Sequence, residues 1–284
     1  MKISQEGFKI TTGTDGVDKL LFDSNRAKEC IEFAIKHNIK RVVLNPSHGY
    51  TENNLDAIIP IKDFIEGLII GSEKIRTEKL HLFRHLIFLG LPDNKIDVID
   101  LSNFPDLQTL ACEYTERLKS LEVVNKLKSL TISDYKPQSG DLLSFPHLNL
   151  LQHLSLIKTG FVNLGGIAKL TSLKKLEIFI APKLGMLNQL IPLSDHLEEI
   201  QLEQCKKIND YEILGKLHAL KKIILTDSGN IKTLAFLELL PSIELVSFWG
   251  TNVLDGNLNY CDGINYVGFD NKKHYNHKSE YFKK

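Results

Sequence analysis

Few residues in this chain have types and spacings that could support chemistry. His81 and His85 stand four apart, but no Glu sits between them as in His-Glu-x-x-His, and the segment reads as packing. His274 and His277 could approach a metal together, yet their terminal segment offers no third ligand or dry pocket. There is no Gly-x-Ser-x-Gly elbow and no phosphate-cradling Gly-x-x-x-x-Gly-Lys, and Leu164-Gly165-Gly166 reads as a tight turn. The expectation is a non-enzyme with no catalytic residues, metal or cofactor. What remains suits non-covalent contact: the only tryptophan, Trp249, with Tyr266, Phe179 and Tyr114, among Glu113, Asp134, Glu177, Glu199, Glu203, Asp227 and Asp270. Aromatic anchors inside an anionic rim have the composition of an interface hot spot, where each well-buried anchor contributes about 2 kcal/mol or more. The expected ligand is therefore another protein, and a basic one.

A repeat must position these residues. Leu197-x-x-Ile200-x-Leu202 returns as Leu220-x-x-Ile223-x-Leu225. The same phrase opens at Ile39, Ile65, Leu86, Leu107, Leu127, Leu151, Leu173, Leu197, Leu220, Ile243 and Ile264, separated by 20 to 26 residues. Apolar residues hold places 1, 4 and 6 throughout, with Cys112 as the one cysteine among them. Places 4 and 6 point to one side of a strand, so each strand has an apolar side that only a neighbouring coil can cover. Places 3, 5 and 7 point the other way. They carry Glu113, Glu177, Phe179, Glu199, Glu203, Trp249, Tyr266 and Asp270, while place 8 adds Tyr114, Asp134 and Asp227.

On these residues the chain resembles the leucine-rich repeat superfamily, especially the short repeats of bacterial proteins and phosphatase-regulatory scaffolds, over residues 39 to about 270. The resemblance implies an α/β fold, a curved horseshoe solenoid whose concave parallel sheet has about eleven strands and grips another protein. Its turns normally carry an Asn or Cys ladder at place 9. Here Asn94, Thr115, Thr159, Cys205, Ser228 and Thr251 can partly serve. Ser47, Glu73, Tyr135, Ala181 and Lys272 depart from it, so mobile turns are expected near 72 to 80, 133 to 141 and 179 to 190. Second halves hold further apolar pairs, such as Leu184 with Leu187 and Ile231 with Leu234, which return the chain as short helices, 3₁₀ turns or extended backbone.

Residues 1 to 38 read as an N-terminal cap. A hairpin flanks TTGTDGVD, and a helix fits 25 to 37, capped by Ser24 and striped by Ala27, Cys30, Ile31, Ala34 and Ile35. The repeats fill 39 to 270. Residues 271 to 284 form a basic C-terminal cap or tail with Lys272, Lys273, Lys278, Lys283 and Lys284, whose aromatic residues could fold back over the last coil. The Asp-Asn-Lys-Lys-His-Tyr ending is similar to bacterial immunity-type antitoxins. A scaffold or regulatory subunit is the alternative role, and a recognition fragment of an effector a further one.

Composition narrows the partners. Lys and Arg total 35 and Asp and Glu 35, so no bulk field draws the chain to nucleic acid or to an anionic membrane. The N-terminus lacks the apolar run of a secretory signal, and no stretch approaches the roughly 18 apolar residues of a bilayer span. Cys30, Cys112, Cys205 and Cys261 are too scattered for a Cys-x-x-Cys pair and read as reduced packing thiols. The expected location is the cytoplasm.

Overall fold

The computed structural model describes residues 1–13, 15–92 and 97–283. Asn94 of the expected ladder and Lys284 of the tail lie outside the described residues. The chain divides into two compact units, Met1–Leu130 and Thr131–Lys284.

The first unit begins with β1 (Lys2–Ile3), β2 (Lys9–Thr12) and β3 (Asp18–Leu21), an antiparallel run in which Ile10 faces Leu20. The α-helix α1 (Ala27–Lys36) follows. Next come β4 (Arg41–Leu44), β5 (Gly67–Ile70), β6 (Phe88–Gly90), β7 (Ile99–Asp100), β8 (Thr109–Glu113) and β9 (Leu118–Lys119). β4, β5, β6 and β8 pair in parallel in that order, while β7 and β9 form a separate two-stranded ribbon. β10 (Ser129–Ser133) carries the boundary between the units. The second unit holds β11 (His153–Ile157), β12 (Lys175–Phe179), β13 (Glu199–Glu203), β14 (Lys222–Thr226), β15 (Leu245–Ser247) and β16 (Tyr266–Gly268). These six pair in parallel in that order, through five pairings from β11–β12 to β15–β16.

All eleven expected strands form, each beginning two residues after its opening apolar residue. β1 to β3 add three more. The N-terminal hairpin is thus part of the sheet: β3 pairs in parallel with β4, Leu20 facing Val42, and α1 lies in the crossover between them. The helix stripe is rotated from expectation. Cys30, Phe33 and Ala34 are buried whereas Ile35 is exposed, because Phe33 turns inward against Phe8 at 4.4 Å between ring centroids. Ser24 does not cap the helix either. Asp23 accepts from the Asn25 amide, while the Ser24 hydroxyl donates to the Gly49 carbonyl.

The alternation explains the core. In β11 to β14 the residues at places 1, 4 and 6 are at most 1% exposed, from Leu151, Leu154 and Leu156 to Leu220, Ile223 and Leu225. The chain returns mostly through short 3₁₀ turns such as Asn188–Leu193 and Tyr211–Lys216. Place 8 has a backbone habit invisible in the repeat phrase: Asp134, Lys158, Ile180, Gln204, Asp227 and Gly250 all have positive φ, between 47° and 67°. Only the last is glycine, and Ile180 is β-branched, so this turn is imposed by stacking against local preference.

The ladder is continuous where its residue types are best. The Thr251 hydroxyl donates to the Leu225 carbonyl at 3.0 Å and accepts the Ser228 amide at 3.0 Å; the Ser228 hydroxyl bonds the Leu202 carbonyl and accepts the Cys205 amide at 3.3 Å. In two of the turns that lack a ladder residue, other groups supply hydrogen bonds. The Tyr135 hydroxyl meets Ser144 Oγ at 3.2 Å, and the Ile180 amide donates to Glu203. Thr251 is 1% exposed, so Thr251→Val keeps its shape but strands a buried donor and an acceptor. The expected loss is about 1–3 kcal/mol in urea unfolding.

Described residues of the tail bond back to the last coil. The Tyr275 hydroxyl accepts the Val253 amide at 3.0 Å, Asn276 Oδ1 accepts the Leu258 amide at 2.8 Å, and the Phe282 ring lies 5.9 Å from that of Phe269. Tyr275 and Phe269 are buried together over the last coil.

Candidate functional site

Strand register aligns the outward residues of the second unit into columns. Place 3 reads His153, Lys175, Glu199, Lys222, Leu245 and Tyr266; place 5 reads Ser155, Glu177, Gln201, Ile224, Ser247 and Gly268. Place 7 pairs Ile157, Phe179, Glu203 and Thr226. Place 5 is the most covered, with Ser155 3% and Ser247 7% exposed, because neighbouring columns flank it on both sides.

Trp249 and Tyr266 stand out from this surface, 44% and 51% exposed. They converge on Gly268. A Cβ built there would lie 3.1 Å from Trp249 Nε1 and 2.9 Å from both Tyr266 Cε1 and Oη, so a side chain at this position would displace the two rings from where they meet. The backbone under Trp249 is held from two sides. The Asp227 amide donates to the Trp249 carbonyl at 2.9 Å, and the next amide, Gly250, donates to Asp270 Oδ2 at 2.7 Å. Asp227 and Asp270 are both exposed beside this turn. Glu203 is half-buried between Phe179 and Thr226 and makes no ion pair among the described residues.

The rest of the expected anionic rim is neutralised. Glu199 accepts Lys222 at 2.6 Å, and Lys175 lies 3.9 Å from it. Glu177 accepts His153 Nε2 at 2.8 Å and Lys175 at 2.8 Å, its side chain 14% exposed. Burial alone would raise the Glu177 carboxyl, yet the hydrogen bonds from His153 and Lys175, reinforced by their charges, bring it down from 4.5 to about 2. A carboxyl depressed in the fold stabilises above its unfolded value and loses that contribution as pH falls through the folded one. Glu177→Gln should therefore lower stability at pH 7 by on the order of 2 kcal/mol and flatten the acid limb between about pH 4.5 and 2, read by thermal unfolding across that window. Five carboxylates still face two lysines across this part of the sheet: Glu177, Glu199, Glu203, Asp227 and Asp270 against Lys175 and Lys222.

The remaining expected residues lie apart from this cluster. Asp134 belongs to the second unit and pairs with Lys136 at 2.5 Å. Glu113 and Tyr114 belong to the first unit, at and just beyond the end of β8, where Tyr114 is 41% exposed. His81, His274 and His277 make structural hydrogen bonds. His81 Nδ1 meets the Glu78 carbonyl at 2.8 Å, His274 meets the Val253 carbonyl at 2.9 Å, and His277 meets Asn259 Oδ1 at 2.7 Å while stacking on Tyr281. Among the described residues no group of three or more His, Cys, Asp or Glu is placed to hold a metal ion. All four cysteines are free and buried; burial raises each thiol, Cys205 to about 11 and Cys112 and Cys261 to about 12, which leaves them poor nucleophiles.

No family model matches the sequence, and no curated protein matches it. Solved structures do. An internalin (inlF) from Listeria monocytogenes aligns over 91% of this chain and 88% of its own, at 16% identity and a TM-score of 0.53. Internalin C2 (inlC2) from the same organism aligns over 75% and 84% at 22% identity, TM-score 0.42. A Leptospira interrogans LRR protein aligns over 85% and 81% at 15% identity, TM-score 0.34. Phased apolar triplets, parallel strands held in register within each unit and the inlF superposition agree on one architecture: this chain has the leucine-rich repeat fold.

Proposed function

We propose that the chain is a non-catalytic binding protein that holds another protein against the outward face of its second unit. The observation that carries this reading is the pair Trp249 and Tyr266, two large aromatic side chains left half exposed over a glycine, on a backbone pinned by Asp227 and Asp270. Anchors fixed before binding lose little freedom on association. Glu203, Asp227 and Asp270 supply the charge, so the partner's contacting surface is basic. Phe179 extends the apolar part of the face. Glu177 and Glu199, bonded to lysines, act as frame rather than as free charge. Asp134 is assigned to the periphery of that face, whereas Glu113 and Tyr114, which belong to the first unit, are left out of this contact.

The finer role we propose is an immunity-type protein that masks a basic toxin surface. The residues that suggested it, Asp270 to Tyr275, serve in part as the cap, so the role now rests on the charge and aromatic content of the face. We place the protein in the cytoplasm, which fits its four buried free thiols. Capture from a lysate of the native host, comparing wild type with Trp249→Ala/Tyr266→Ala and identifying what is lost by mass spectrometry, tests the reading. A captured set unchanged by the double substitution would overturn it.

A further inference from the structure

The outward face of the first unit carries a different chemistry. Arg41 opens β4, Gly67 faces it on β5, and Phe88 faces Gly67 on β6. Lys19 lies on β3 next to Leu20, whose partner is Val42, so the Lys19 ammonium emerges beside Arg41. A Cβ at Gly67 would sit 2.6 Å from Arg41 Cγ. Its absence lets the Arg41 chain lie across β5 until Cζ is 5.0 Å from the Phe88 ring centroid; Lys19 Nζ is 5.1 Å from the same centroid. Two cations therefore share one aromatic ring, an arrangement whose mutual repulsion calls for an anion.

One anion is already there. Asp15, between β2 and β3, reaches this face, where its carboxylate pairs with Arg41. The other Asp15 oxygen accepts the Val17 amide of its own turn at 3.2 Å. Arg41 is well covered, its side chain 15% exposed, while Asp15 at the hairpin tip is 42% exposed. Lys19 has no carboxylate within ion-pair distance among the described residues. The cluster thus holds two cations and one carboxylate, and that carboxylate arrives on a turn flanked by Gly13 and Gly16.

We propose that Lys19, Arg41 and Phe88 form a receptor for a carboxylate side chain of an acidic protein segment, and that Asp15 occupies it as an internal competitor. The site is built from strand residues and its occupant from a turn, so the receptor persists when the occupant leaves. Exposed ion pairs of this kind are weak, and an incoming segment with several carboxylates exceeds their strength. Asp15→Asn keeps the turn bond to Val17 through its amide oxygen and removes the charge that competes.

The test is a fluorescence anisotropy titration of labelled hexaglutamate into the whole chain at low ionic strength, with hexaglutamine as the uncharged control. Asp15→Asn should tighten hexaglutamate binding about fivefold over wild type, since the competent fraction of receptors rises. Adding Arg41→Gln or Lys19→Met to Asp15→Asn should abolish the gain, and hexaglutamine should not bind. Lys19 makes no ion pair that the fold needs, so the Lys19→Met arm reads the site even where Arg41→Gln unfolds the sheet. Equal binding by wild type and Asp15→Asn overturns the proposal, as does Asp15→Asn/Lys19→Met binding as tightly as Asp15→Asn.

Discussion

Phe248→Ala is expected to cost about 3–5 kcal/mol of unfolding free energy, among the largest losses of any single substitution in the second unit. Phe248 is fully buried at place 6 of its coil. Its ring stacks on Phe269, centroids 5.0 Å apart and planes 2° apart, and Tyr275 meets both rings edge-on at 6.4 and 5.8 Å. The Phe282 ring also meets that of Phe269 edge-on. Removing one ring leaves a void that the two flanking coils cannot fill, since each is tied to its neighbour by strand register. The same cluster fastens the tail, so residues 272 to 283 should become cleavable by trypsin in the variant while they resist it in the wild type. Urea unfolding gives the energy and Phe248→Leu, which keeps most of the volume, should cost less than half as much. A loss below about 1 kcal/mol for the alanine variant would mean the cap does not rest on this stack.

Trp249→Ala/Tyr266→Ala should act the other way round, with a small change in stability and a large change in binding. Both side chains are half exposed and neither supports the core, so unfolding should shift by about 0.5 kcal/mol or less. Partner affinity should fall at least about thirtyfold, the equivalent of one lost anchor of 2 kcal/mol. Glu203→Ala on the same face removes a charge with no ion-pair partner among the described residues, so its effect should appear chiefly in the association rate and its salt dependence. Isothermal titration with the captured partner separates these outcomes. Equal affinity for wild type and the aromatic double variant would remove Trp249 and Tyr266 from the interface.

The repeat made most of the fold readable because one physical demand recurs: a short strand must bury places 1, 4 and 6 against the next coil. Leu173, Leu176 and Ile178 satisfy it as visibly in the sequence as in the structure. The N-terminal hairpin was readable as a hairpin but not as part of the sheet, since Asp18–Leu21 lacks the triplet that sets register. The outward placement of Trp249 and Tyr266 followed from place number alone. Their convergence did not, because it depends on the bare Cα of Gly268, which the repeat phrase leaves unspecified. The neutralisation of Glu199 does have a signal in the sequence: place 3 of successive units reads Lys175, Glu199, Lys222, an alternation of charge that strand pairing turns into contacts. Reading residues by face and not by column hides it. The left-handed residue at place 8 is hidden for another reason, since Ile180 and Lys158 are types that give no hint of it.

Hydrogen–deuterium exchange on the chain alone and with its captured partner is the most direct measurement of where that partner sits. Contact through the outward face predicts slowed exchange in peptides spanning 199–203, 222–227, 245–250 and 266–270, with little change across the 3₁₀ turns at 188–193 and 211–216. Protection confined to those turns, with the Trp249 and Tyr266 peptides exchanging as in the free protein, would contradict the account.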